Sequence, residues 1–206
     1  MEIKERILTK AREQFFRYGV KSITMDDIAK ELGISKKTIY QHYEDKDDLV
    51  YQLMTLELDK DRCLWEEIQQ NSLNPIDMMV KAMDVLKQSL MEINSSALFD
   101  IKKYHPRTWQ YFENHKQTFI FQCITTSLVQ GIEQGMFRKE LNIEIIARMR
   151  MQQIEMGFDT QVFAVGQFTV LQVQLEFLDH FVRGILTKEG LELYEEYLTI
   201  KKIGTQ

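Results

Sequence analysis

The chain has 206 residues, 44% of them hydrophobic and 28% charged, with a formal net charge of −5. That length can bury one large core or two small ones, and no apolar run approaches the length needed to cross a bilayer. Nine glycines and two prolines leave little for β turns, and the two widely spaced cysteines, Cys63 and Cys123, exclude a disulfide framework or a cysteine metal site, so an all-α chain with reduced thiols is expected.

Ile3, Ile7, Leu8, Ala11, Phe15 and Phe16 recur on one helical face, with Lys4, Lys10, Arg12 and Arg17 elsewhere, predicting a first helix that ends at Gly19. Thr24 followed three residues later by Asp27 has the form of a capping box, which opens a helix over 25–32 with Ile28, Ala29 and Leu32 on its buried stripe. Gly33 closes that helix because it reaches left-handed angles without a Cβ penalty. Ser35 then caps a second helix predicted over 36–43, with Ile39 inward and Lys36, Lys37, Thr38, Tyr40, Gln41 and His42 outward. Two helices joined by a short turn containing glycine form a helix-turn-helix, whose second helix lies in the DNA major groove.

The outward residues suit that groove. Lysine meets phosphate or guanine acceptors, glutamine reads adenine from two sides, threonine touches a thymine methyl, and tyrosine and histidine donate to phosphate oxygens. Asp45 and Lys46 open the next helix, where free N–H groups and a lysine charge favour a phosphate. The candidate DNA-contacting set is therefore Thr24, Ser35, Lys36, Lys37, Thr38, Tyr40, Gln41, His42, Tyr43 and Lys46. A plain helical hairpin with a solvated charged face is the alternative, but it does not require Ala29, Gly33, Ser35 and Ile39 together. Charge distribution agrees with a DNA reader: residues 1–46 hold ten Lys/Arg against eight Asp/Glu, whereas the remainder holds sixteen against twenty-three.

From 46 to 70 nothing breaks the helical period of Leu49, Leu53, Leu56, Leu64 and Ile68. One long helix thus leaves a first domain, 1–46, and enters a second, 47–206, as the natural lever between them. Asn74 and Pro75 cap and start a helix with Met79, Met83, Leu86 and Leu90 inward. Ser95 and Ser96 restart a helix through 97–104, and His105–Pro106 breaks it. A single long helix is expected over 107–134, closed by Gly135, with a turn at 136–141 and Asn142 capping a helix over 143–157. After a loop near Asp159, residues 169–177 alternate like a strand; with no partner strand and apolar positions continuing at Leu178, Phe181 and Val182, they read as helix. Thr187 caps the last helix, with Leu191, Tyr194 and Leu198 inward, and the final residues read as disordered.

Large apolar side chains mixed with a few polar ones can line a cavity between bundle helices. Met83, Phe99, Tyr104, Trp109, Phe112, Phe119, Gln122, Met151, Gln152 and Glu155 are the candidates for an effector pocket, with plain core as the competing assignment. His42, His105, His115 and His180 stand apart from carboxylate clusters, so neither a metal nor another cofactor is expected, a His105/His115 pair being the one conceivable arrangement. No nucleophile–base pair or glycine-rich phosphate loop points to an enzyme. The charged N-terminus has no signal-peptide core, and a cytoplasmic protein is expected.

The segment from Ile7 to Leu49 resembles the DNA-binding end of the TetR family, the tetracycline-repressor-like bacterial transcriptional regulators. The resemblance is carried by Ala11, Phe15, Gly19, Thr24, Ile28, Ala29, Leu32, Gly33, Ser35, Thr38, Tyr40, His42, Tyr43, Lys46 and Leu49. It implies a three-helix DNA-binding domain followed by a helical effector-binding and dimerisation bundle. It also implies a homodimer on a palindromic double-stranded operator, most often a repressor, released by a small apolar or aromatic effector. Control by a protein partner without a small-molecule effector is the alternative. In such proteins the helices at 143–157 and 168–186 form the dimer contact, which here nominates Ile146, Met149, Ile154, Phe168, Leu171, Leu175, Leu178 and Phe181. The chain's own core competes for the same residues.

Overall fold

A computed structural model of the chain describes residues 2–203 apart from Glu92, Ser95 and Val165. The described residues form helices and no strand: α1 (Ile3–Tyr18), α2 (Met25–Leu32), α3 (Lys36–Tyr40), α4 (Lys46–Asn71), α5 (Pro75–Leu90), α6 (Ser96–Tyr104), α7 (Pro106–His115), a π-helical turn (Lys116–Ile120), α8 (Phe121–Glu133), α9 (Ile143–Met156), α10 (Val170–Ile185) and α11 (Lys188–Ile203). The expected single helix over 107–134 is thus interrupted, because residues 116–120 widen into a π turn. Nothing in its apolar period announces that widening. Residues 170–185 are helical despite their alternation. Of the pair expected to restart a helix, Ser95 lies outside the described residues, as do the last three residues, expected to be disordered.

Caps set most helix starts. Asn74 Oδ1 accepts from the N–H groups of Ile76 and Asp77 at 3.0 and 2.9 Å, Asn142 Oδ1 accepts from Ile145 at 3.1 Å, and Thr187 Oγ1 accepts from Gly190 at 3.1 Å.

The chain divides into two compact units, one made of 1–61, 92–115 and 158–170, the other of 62–91, 116–157 and 171–206. The first is wider than residues 1–46, since α6 and α7 pack into it. Its core gathers Ile7, Ala11, Phe15, Ile28, Ile39, Tyr43, Leu49 and Leu53, with Ile101 of α6 joining and Trp109 of α7 packed against it. The second unit has its own core, including Ile76, Met79, Leu128, Phe137, Ala147, Phe181, Val182 and Tyr194. α4 contributes to both units as one unbroken helix.

Candidate nucleic-acid interface

The helix-turn-helix is built by its caps. Thr24 Oγ1 accepts from the Asp27 N–H at 3.2 Å while Asp27 Oδ2 accepts from the Thr24 N–H at 2.8 Å, closing the capping box. The Thr24 hydroxyl, donating to Asp27 Oδ2 at 2.6 Å, and the Thr24 N–H hold the Asp27 carboxyl below its usual pKa. At the other end of α2, Gly33 sits in the left-handed region at φ 65° and ψ 32°. Its N–H donates to the Lys30 carbonyl at 3.1 Å and the next N–H, of Ile34, to the Ala29 carbonyl at 3.0 Å, a Schellman closure that turns the chain. Ser35 Oγ then accepts from the Thr38 N–H at 3.1 Å and starts α3.

With Ile39 fully buried, α3 has one orientation left to it. Lys36, Lys37, Tyr40 and Gln41 are exposed and Thr38 and His42 half-exposed, so six of the predicted contacts lie on one accessible surface. Thr24 and Ser35 are also exposed, each tied to its cap. Lys36 Nζ pairs with Asp26 Oδ2 at 2.7 Å, an exposed bridge that raises its pKa and that a phosphate can replace at little cost.

Two members of the predicted set are placed differently. Tyr43 lies in the core at 1% exposure, where burial pushes its pKa up to about 12, and its hydroxyl donates to the Lys4 carbonyl at 3.1 Å. The cause is spacing: Tyr43 stands four residues after buried Ile39 and its N–H donates to the Ile39 carbonyl at 3.0 Å, so it falls on the same inward face. Lys46 is half-buried, its ammonium donating to the Val20 carbonyl at 2.6 Å above the Phe15 ring. Burial lowers its pKa, so it acts first as a strut between α4 and the α1–α2 turn.

Sequence reasoning missed the braces behind this surface, which come from distant residues. Asp100 of α6 accepts from the Lys21 N–H at 2.8 Å, and Gly19 (φ 84°) lets α6 come so close that a Cβ there would sit 2.7 Å from Ser96 Oγ. His105 Nδ1 lies 2.6 Å from Asp47 Oδ1, and the Arg107 guanidinium covers the Tyr51 ring at 3.8 Å. Together they fix the start of α4 beside the turn that follows α3.

Residues 7–53 match the family model of bacterial regulatory proteins of the tetR family. That segment is thus similar to the DNA-binding domain of the tetR-family regulators. The HTH-type transcriptional regulator YvaF of Bacillus subtilis (strain 168) is 28% identical over 171 residues, spanning 82% of this chain and 88% of that protein. Among solved structures, a TetR-family regulator from Agrobacterium tumefaciens superposes with a TM-score of 0.74 at 18% identity, covering 89% of this chain and 97% of that one. A transcriptional regulator from Saccharomonospora viridis crystallised with choline does so with a TM-score of 0.72 at 16% identity, covering 90% and 98%. The protein is a DNA-binding transcriptional regulator, and these TetR-like relatives and fold neighbours are regulators rather than enzymes.

The effector-pocket candidates divide between the units. In the first, Trp109 and Phe112 stack with ring centroids 5.4 Å apart, Phe112 buried and Trp109 half-buried, while Phe99 and Tyr104 are exposed. In the second, Met83 and Met151 are buried, Phe119 is half-buried under the Arg62 guanidinium, and Gln122 and Gln152 are exposed. Glu155 pairs with buried Lys116 at 2.7 Å.

Of the dimer candidates, Leu178 and Phe181 are in the second core and so belong to this chain's own packing. Met149 and Phe168 are exposed, and Ile146, Ile154, Leu171 and Leu175 half-buried. An outward stripe the sequence reading passed over, Ile145 and Met156 with Met149, runs along α9 at helical spacing opposite Ala147 and Met151. Among the described residues no group of three or more His, Cys, Asp or Glu could hold a metal, and no helix is long and apolar enough to cross a membrane.

Proposed function

We propose that this protein is a homodimeric, cytoplasmic repressor that binds a palindromic double-stranded operator and is released by a small apolar or aromatic effector. The observation that carries the reading is the accessible face of α3, Lys36, Lys37, Thr38, Tyr40 and Gln41, locked outward by buried Ile39 and the two caps around the turn. Dimerisation is supported by the exposed stripe Ile145, Met149 and Met156 of α9 together with half-buried Leu171 and Leu175 of α10. Solitary exposed apolar residues are ordinary, but a row of them along one helix calls for a partner surface.

An effector is supported by a fold neighbour that was crystallised with choline. Release requires that the effector prefer the arrangement that does not fit DNA, because coupling is a difference in affinity between two states. α4 transmits it as a single helix of 26 residues shared by both units. The test is a gel-shift titration on the DNA flanking the protein's own gene, with and without compounds that raise its melting temperature. Tight binding that such a compound abolishes is the expected result; absence of any retained DNA would refute the reading.

A further inference from the structure

The second unit buries a guanidinium whose Nη1 has no acceptor among the described residues. Arg150 sits on the inward face of α9 beside Ala147 and Met151, is 6% exposed, and stacks over the Phe181 ring at 5.7 Å from its centroid. Its Nη1 is shut off from solvent and, among the described residues, has no hydrogen-bond partner. Burial alone pushes its pKa down to about 10, with no carboxylate to pull it back up, so it remains charged at neutral pH.

Three residues along the same helix, Gln153 also has a buried side-chain oxygen without a partner. Residues at that spacing share one face. A glutamine amide presents a donor or an acceptor depending on which way it is turned, so it can complete the shell of whatever Arg150 binds. The local carboxylates are committed elsewhere. Glu155 holds buried Lys116 at 2.7 Å, and Asp179 accepts from Tyr194 at 2.9 Å and from Arg183 at 2.8 Å.

We propose that Arg150 is the anchor for the carboxylate of an amphiphilic effector, an aliphatic or aromatic acid whose apolar body packs against the second core. This rests on the effector reading given above and adds the chemistry of the ligand's polar end. A carboxylate is the match because its two oxygens meet the guanidinium fork while carrying one charge. A dianion would call for a second free cation, and Lys116 is already neutralised by Glu155. The neighbours Ala147, Met151 and Phe181 are apolar, so a small hydrated anion lacks the contacts that would offset its desolvation.

Full-length wild type and Arg150→Met are compared by thermal shift, first without additive, then with decanoate or benzoate and with their neutral counterparts decanol and benzamide. Arg150→Met should melt at or above wild type, since it removes an unpaired buried cation. One of the acids should raise the wild-type melting temperature by roughly 3–8 °C near saturation and leave the variant unmoved. If Arg150→Met does not fold, Arg150→Gln serves, with the acid response again lost. A variant that melts several degrees lower, or that falls apart to monomers, overturns the inference, because Arg150 is then held by protein groups of its own or a second copy. It is overturned equally by acids that act on both proteins alike or on neither. Neutral compounds that stabilise wild type and release DNA as well as the acids do would overturn this inference and leave the effector reading standing. Acids that bind through Arg150 without loosening DNA would support the anchor and refute the effector reading.

Discussion

The two units of the chain bury different kinds of polar group. In the first, several inward polar groups are tied to nearby backbone or to each other, Tyr43 to Lys4, Lys46 to Val20, Asp100 to Lys21 and His105 to Asp47, while the buried Thr108 hydroxyl has no partner among the described residues. The face of α3 is left open to solvent. In the second unit, Lys116 and Arg150 are carried into the interior, and the buried Nη1 of Arg150 and Oε1 of Gln153 have no partner among the described residues. A surface that reads a fixed double helix benefits from a frame already rigid before contact, whereas a chamber that senses a ligand needs groups whose partner arrives from outside.

Matched core truncations break that contrast most strongly. Ile39→Ala and Leu128→Ala each delete a fully buried side chain and should cost about 2–5 kcal/mol in urea unfolding. Ile39→Ala should also abolish DNA retention, while Leu128→Ala leaves the affinity of the folded fraction unchanged; equal effects on DNA would erase the distinction. Lys46→Ala comes next, because it removes a charged hydrogen bond at the base of α4 and should cost about 1.5–3 kcal/mol of stability. Its DNA affinity should fall along with its melting temperature, and a fall in affinity alone would return Lys46 to the phosphate-contacting set.

Tyr40→Ala and Lys37→Ala sharpen the comparison from the other side, since both residues are exposed and unfolding should be unaffected. Each should weaken binding by about tenfold, and Lys37→Ala should flatten the slope of log affinity against log salt by about one. The smallest effect is Ser35→Ala, which loses the cap of a five-residue helix and about 1 kcal/mol of stability.

The reading head was legible because its grammar is local. Thr24 with Asp27, Gly33, and Ser35 with Thr38 are all bonded within a few residues, so spacing alone sets the turn. The caps Asn74, Asn142 and Thr187 were legible for the same reason. Three features were not. Tyr43 shares the inward face of Ile39, four residues earlier, but its phenol reads equally as an outward donor to phosphate until its bond to the Lys4 carbonyl is seen. The widened turn at 116–120 interrupts a helix with no glycine or proline to signal it. The braces from Asp100 and His105 depend on α6 and α7 joining the first unit, a contact between residues far apart in the chain. Arg150 was passed over because a charged residue between apolar ones usually marks an outer face, and its burial becomes visible only once α9 is packed.

The central claim is that two copies of this scaffold present two α3 surfaces to successive major grooves. Hydroxyl-radical footprinting of the purified protein on the DNA flanking its own gene, with mass measured on the same complex, tests it directly. The account predicts two protected half-sites centred about 34–36 Å apart on one face of the duplex, occupied by an even number of chains and lost in Tyr40→Ala. A single protected patch held by one chain, or a footprint that survives Tyr40→Ala unchanged, would contradict it.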